Sequence, residues 1–594
     1  MERLFELARE RKLDRVGATY AVMAWVVVQA ASIALPAFEA PSWSLRWLIL
    51  AILLGFPAAL ALAWFAAGRT TGPLQPLQAR DRLLFGLLGV IAVLLAVQFA
   101  SGLPWSRRQA AAPPTQIAPS IAVLPFANLS GDASKVYFSD GIADQLISEL
   151  ARAPSLRVAA RSSSFAFRGK AVDVKTIAHS LNVRTILEGS VREDGNRVRI
   201  AAELVDATNG FQIWSETYDR DLTNILSLQD DIAVAITAAI SKRFWGKIVV
   251  GERTIPKPRV INPEAYKLYL QGQFYFAQRT REGVDRAISL FTRTTELAPD
   301  YADGFAALAD ARVTNALDFQ NYRDVAPALV TVKKALALDP NNPTALIARA
   351  TASLLQWRWR DVAEDIRQLH KLHANTAAVW RIRAVFFDYM GLAQFAGPSE
   401  EKAVQLDPLS FIDHYNLALY RLLQKHYDES ARIAADAWAL QPANPDLQVL
   451  KCQIAIGKKD LSEARRIATQ LGAQAGAPAG SVAACNFYID IAKQNFAAAR
   501  KTAEAVAASF PASGVSATDI GTAYAMADDI DSAMKWYRRA FALHDPQMLR
   551  VPYSNPVLVK LFADPRWRAL RAQPSIRDWD AARAEIAGEF QRGE

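Results

Sequence analysis

The stretch QLDPLSFIDHYNLALYRLLQKHYDESARIAADAWALQPAN, residues 405–444, carries one full structural period between Pro408 and Pro442. Tyr415 and Leu419 stand four residues apart, on one face of a helix. Ala431, Ala434 and Ala437 recur three apart on a second helix. Proline cannot continue the backbone hydrogen-bond ladder, so each proline closes a second helix. Two such short helices cannot bury their apolar faces alone and must stack on neighbours. The same ending recurs as ELAPD at Pro299, ALDPN at Pro340, ASFPAS at Pro511 and ALHDP at Pro546. Successive prolines lie 41, 68, 34, 69 and 35 residues apart. Two of these gaps are one period of about 34, and two are double periods hiding a unit without the proline. The first predicts one period with an insertion near residues 315–323.

Upstream, Tyr266, Tyr269, Gly272 and Tyr275 fit a first helix in which Gly272 admits a close partner, and Ala287, Phe291 and Thr294 fit that partner. Tyr524, Ala533, Tyr537 and Ala540 repeat the design. The pattern resembles tetratricopeptide (TPR) repeats, about eight over residues 263–545. That resemblance implies an all-α superhelix whose groove takes a protein or peptide partner. Residues 546–594, with LFADPRWRAL, resemble the cap and tail that follow such arrays.

Before the repeats the periodicity changes. SIAVLPF at 120–126 suits a buried strand, and 139–152 has helical spacing with Ser139 or Asp140 as N-cap candidates. Residues 156–160 read as a strand and 172–181 as a helix. The arms 184–192 and 197–205 flank EDGN at 193–196, a hairpin signal. Val198, Ile200, Ala202 and Leu204 alternate with Arg197, Arg199, Ala201 and Glu203, giving one buried and one wet face. A strand at 211–218 and an amphipathic helix at 227–244 complete the unit. IAVLPFANLS, FSDGIADQLISELAR, LRVAARSSSFAFRGK and ILEGSVREDGNRVRIAAELVDATNGFQIWSETYDR resemble the TolB-N-like (FlgO-like) module. The resemblance implies a small α/β domain over 120–246, joined by a linker at 247–262.

RKLDRVGATYAVMAWVVVQAA, at 11–31, resembles the membrane region that often precedes that module. Three uncharged windows, 16–38, 47–68 and 83–106, each hold 22 to 24 residues, enough to cross a ~30 Å hydrocarbon layer. The expectation is a cytoplasmic segment at 1–15, three transmembrane helices within 16–106 and an Ala/Pro-rich spacer at 107–119. Eight Lys and Arg residues flank the N-terminal side of these spans against three on the other. The positive-inside rule then predicts a bacterial inner-membrane protein with a cytoplasmic N-terminus and periplasmic C-terminal domains. The lipid bilayer is accordingly an expected partner.

The net charge of +9 is interleaved with acids along the chain, with no basic stripe or reading element, so no nucleic-acid partner is expected. Cys452 and Cys485 lie one period apart and suit packed core thiols or, in an oxidising compartment, a disulfide. No phosphate loop, nucleophile elbow, HExxH or paired CxxC motif occurs in the sequence. His370 and His373 are spaced i, i+3 without a third ligand in evidence, and Asp140 and Asp144 share a helix face. Trp357, Trp359, Trp380 and Trp438 suit helix packing better than a ligand cage. Catalytic, cofactor and metal sites are therefore expected to be absent. The expected fold is multi-domain: transmembrane α-helices, a small α/β (TolB-N-like) domain and a C-terminal TPR superhelix. The expected function is that of a non-enzymatic scaffold, assembly factor or signalling component. The alternative is a small-ligand sensor using the α/β domain.

Overall fold

The structure, a computed structural model, describes residues 20, 22–29, 52, 119–153, 156–245, 260–319, 321–442, 444–474, 479–510, 515–554 and 558–593. It divides into two compact units, Met1–Ile117 and Ala118–Glu594. In the first, the Tyr20 hydroxyl donates to the Ile52 carbonyl at 2.7 Å. The expectation of transmembrane helices is corrected here: among the described residues no helix is long and apolar enough to cross a membrane. The windows at 16–38, 47–68 and 83–106, and nearly all of the spacer, otherwise lie outside the described residues. The inner-membrane location, the orientation and the bilayer as partner fall with that correction.

The second unit opens with a mixed sheet. Its strands are β1 (Ser120–Val123), β2 (Ala127–Asn128), β3 (Arg157–Val158), β4 (Thr185–Asp194), β5 (Arg197–Asp206) and β6 (Phe211–Asp221). The order is β3-β1-β4-β5-β6, with β2 pairing the far end of β4. β1 is parallel to β3 and β4, whereas β4, β5 and β6 are antiparallel. The predicted strand at 120–126 is split, since Pro125 cannot donate to a ladder. The hairpin turn is tighter than EDGN: Asp194 pairs with Arg197, leaving Gly195 and Asn196 to turn, with Gly195 at φ +59°. The four helices are α1 (Val136–Ala151), α2 (Arg161–Phe165), α3 (Val174–Leu181) and α4 (Ile225–Trp245). Ile121, Val123 and Leu187 pack with Leu146 of α1 and Ile232 of α4, while Ala122 and Ile186 pack with Ile177 of α3. Alternation along each strand thus puts α1 and α3 on opposite faces. The N-cap expectation is corrected: α1 begins at Val136, and Ser139 and Asp140 are buried within it.

Sixteen helices in eight consecutive pairs follow: α5 (Pro263–Phe276), α6 (Arg281–Leu297), α7 (Ala302–Asp318), α8 (Val325–Leu338), α9 (Pro343–Leu355), α10 (Trp359–His373), α11 (Ala377–Tyr389), α12 (Ala393–Leu406), α13 (Phe411–Leu423), α14 (Tyr427–Leu440), α15 (Pro445–Gly457), α16 (Leu461–Ala473), α17 (Ala479–Ala492), α18 (Phe496–Ala508), α19 (Ala517–Met526) and α20 (Ile530–Ala542). This region is TPR-like. Seven of the eight pairs turn through a residue at positive φ two positions before the second helix: Arg279, Trp357, Gly391, Lys425, Lys459, Gln494 and Asp528. The exception is α7–α8, where the predicted insertion appears as a 17-residue α7 and a 3₁₀ turn at Tyr322–Asp324. Gly272 is indispensable to its pair, because a Cβ there would lie 2.4 Å from Cε1 of Phe291.

The chain ends in α21 (Gln547–Ser554), α22 (Val559–Ala563), α23 (Pro565–Arg571) and α24 (Pro574–Gly593). Trp567 of α23 packs edge-on against Tyr537 of α20, with ring centroids 4.9 Å apart, so this segment covers the last pair. α24 also reaches back to the middle of the array. Arg360 of α10 pairs with Asp578 at 2.8 Å and Glu585 at 2.9 Å, and Phe590 meets Phe387 of α11 at 5.0 Å.

Candidate partner-binding face of the repeats

The first pair is already engaged. Gln145 of α1 donates to the Tyr269 hydroxyl at 2.9 Å, and Gln229 of α4 donates to the Tyr266 hydroxyl at 2.6 Å. Lys267 pairs with buried Glu193 at 2.5 Å. The tyrosines that mark a repeat helix in the sequence therefore seat the α/β domain. A second seat lies far along the chain, where Ser162 and Ser163 of α2 both donate to Asp407, and the Leu409 amide donates to Ser163 at 2.8 Å.

Asp407 belongs to a buried cluster. Arg381 of α11 clamps Asp413 through two donors and reaches Asp407 at 3.8 Å, while Glu400 accepts from Asn416 at 3.3 Å. Three acids share one guanidinium. Burial and then the neighbouring Asp413 push the Glu400 carboxyl well above its ordinary range.

The later first helices bring tyrosines and acids together. Tyr389 of α11, Tyr415 of α13 and Tyr488 of α17 are half-buried, and burial raises each phenol, Tyr488 to about 12. Asp446 of α15 and Asp519 of α19 are exposed, yet loss of hydration raises both carboxyls. Tyr415 of α13 lies within electrostatic reach of Asp446, Tyr488 and Asp519, so these groups face a common space. The array curls across this space: Tyr322, before α8, feels the charges of Asp519 and Asp545 near the far end. Arg550 of α21 pairs with Asp388 of α11 and so closes the curl. Asp446 and Asp519 make no ion pair among the described residues.

The residues flagged in sequence fall elsewhere. His370 packs on the Trp380 ring at 4.7 Å, while His373 meets the Asn341 carbonyl at 3.1 Å, so the two rings do not converge on a metal. Trp357 and Trp359 are core. Trp380 donates to the Ala374 carbonyl, and Lys451 lies over the Trp438 ring. Asp140 pairs with Arg168 at 2.5 Å and Asp144 with Arg161 at 3.4 Å. Cys452 and Cys485 form a disulfide between α15 and α17, settling the two readings in its favour. This grouping of tyrosines and acids was missed, although the tyrosines that recur in first helices were visible.

Residues 116–235 match the second domain of HilA/YgeH-like transcriptional regulators. That is the family found where the sequence resembled a TolB-N-like module, and the TolB-N-like assignment is not supported. The chain is 36% identical over 262 residues, 43% of its length, to a protein of Rhizobium meliloti named putative adenylate cyclase 3. It spans 44% of that relative. The repeats resemble the TPR protein TTC0263 of Thermus thermophilus at 19% identity and TM-score 0.28, covering 32% of this chain and 98% of that one. They also resemble PilF of Pseudomonas aeruginosa at 20% identity and TM-score 0.28, covering 35% and 90%. Similarity to a protein named as a cyclase overturns the expectation that this chain is not an enzyme; a lack of familiar motifs is no ground for excluding one.

Proposed function

We propose that the repeat array binds a protein or peptide segment bearing lysine or arginine where these tyrosines and acids meet. The observation that carries this reading is the grouping of Tyr415 and Tyr488 with two raised carboxyls: no cation acts on Asp446, while Asp519 accepts from Ser516 and feels Arg550, which is paired with Asp388. Tyrosine offers a large contact area at low entropic cost, and its face attracts cations. Fluorescence anisotropy with the full chain and length-matched basic, neutral and acidic peptides tests it. Basic peptides should bind most tightly, and Asp446→Lys with Asp519→Lys should reverse the preference. Binding indifferent to peptide charge would sink the proposal.

A second reading rests on the similarity to a putative adenylate cyclase. One stretch resembles a domain of transcriptional regulators, and the chain also resembles a protein named for a different output. That pairing supports an input role for the shared part, coupled to an output such as cyclic-nucleotide synthesis. Incubating the full chain with ATP and Mg²⁺ and assaying cyclic AMP tests activity in the chain itself; no product above a heat-killed control would reject it.

A further inference from the structure

β1 stops pairing with β4 at Val123, and the chain rejoins β4 as β2 at Ala127–Asn128, so Leu124–Phe126 breaks the strand beside the middle of β4. A cleft of about 450 Å³ opens at this break, lined by Leu124, Phe126, Phe167, Arg168 and Glu188 among others. That volume falls in the range of small-molecule sites.

Its charge is one-sided. Arg168 is already committed to buried Asp140 at 2.5 Å. Glu188, half-buried in the cleft wall, makes no ion pair or side-chain hydrogen bond among the described residues, and its cross-strand partner is another acid, Glu203. Like charges directly opposite on a sheet repel. Burial and then Glu203 raise the Glu188 carboxyl above its ordinary range. A cation at this wall relieves the repulsion, while Leu124 and Phe167, on the same face of the sheet as Glu188, present apolar surface beside it.

We infer that this cleft binds a small organic amine, its ammonium on Glu188 and its apolar body against Leu124 and Phe167. The site is independent of the one proposed on the repeats. Isothermal titration of the full chain with benzylamine, and separately with benzyl alcohol and MgCl₂, tests it. Benzylamine should bind saturably, with benzyl alcohol at least about tenfold weaker, as loss of a charge-assisted contact implies. Glu188→Gln should weaken benzylamine binding by about the same factor. Because it removes repulsion, this variant should keep the native fold, checked by circular dichroism; Glu203→Gln, further from the cleft, should weaken binding less. Absence of saturable benzylamine binding, equal binding of the alcohol, an unaffected Glu188→Gln protein, or displacement of benzylamine by Mg²⁺ at this site would each overturn the inference.

Discussion

Gly141 offers a direct probe of how the α/β domain sits on the first repeat. It lies in α1 facing α5, and a Cβ built there would stand 2.6, 2.9 and 3.0 Å from Cδ2, Cδ1 and Cβ of Leu270. Leu270 is itself buried, so it cannot swing into solvent. Forcing one methyl into such a packed contact costs about 1–3 kcal/mol. Replacing a helical glycine by alanine returns about 1 kcal/mol of helix propensity. Gly141→Ala should therefore destabilise the protein by about 0–2 kcal/mol. Leu270→Ala alone should cost about 2–5 kcal/mol through its cavity. In that background the two closest contacts are gone and only the 3.0 Å approach to the Cβ of residue 270 remains, which a shift of a few tenths of an ångström into the new cavity relieves, so Gly141→Ala should stabilise by up to about 1 kcal/mol. The sign reversal is the diagnostic quantity, a coupling of about 1–3 kcal/mol. Urea unfolding of the four full-length proteins, followed by tryptophan fluorescence, measures it. Amide exchange in α1 and α5 would localise the loosening. If Gly141→Ala raises the midpoint equally in both backgrounds, the packing argument is wrong.

Other perturbations test other parts of the fold. Glu400, whose ordinary carboxyl value is near 4.5, is raised in the native state, so the native protein keeps a proton that the unfolded chain releases. Stability should then fall as pH rises from about 4.5 towards the raised value, by at most ~1.4 kcal/mol per pH unit. Glu400→Gln should flatten that decline and be more stable than the parent at pH 8 in parallel denaturation curves; identical pH profiles would refute the assignment. Reducing the Cys452–Cys485 bridge, which spans 33 residues, should cost roughly 3–4 kcal/mol by loop-closure entropy, seen as a lower urea midpoint in dithiothreitol. No shift would place the bridge outside the cooperative unit. Lys459 is exposed at φ +64°, so Lys459→Gly should stabilise by up to ~1 kcal/mol on thermal melting; destabilisation would show that the side chain is needed.

The repeat design was legible because helix pairing is a local matter. Proline two residues beyond α6, α8, α12 and α14, the close Gly272–Phe291 approach and the insertion near α8 all follow from short-range rules. The hairpin of β4 and β5 was legible for the same reason, its alternation being set by the pleat. The start of α1 was not. Ser139 and Asp140 look like caps because such residues favour helix starts, but pairing with Arg168 lets buried Asp140 sit inside the helix. The N-terminal windows illustrate the opposite case. Apolar length alone predicted membrane crossing, and the described helices do not support it.

The sequence by itself determined that the chain carries an α/β module followed by stacked helix pairs, because periodicity and turn chemistry act over a few residues. Only the tertiary structure decided which surfaces remain free. The tyrosines of α5 are taken by the α/β domain, and Asp407 is taken by Ser162 and Ser163, some 245 residues away. Asp446, Asp519, Tyr415 and Tyr488 come within electrostatic reach of one another from four helices, and the break between β1 and β2 leaves a cleft beside β4. Each outcome depends on residues that curvature or strand order brings together, and local pattern does not encode such distances.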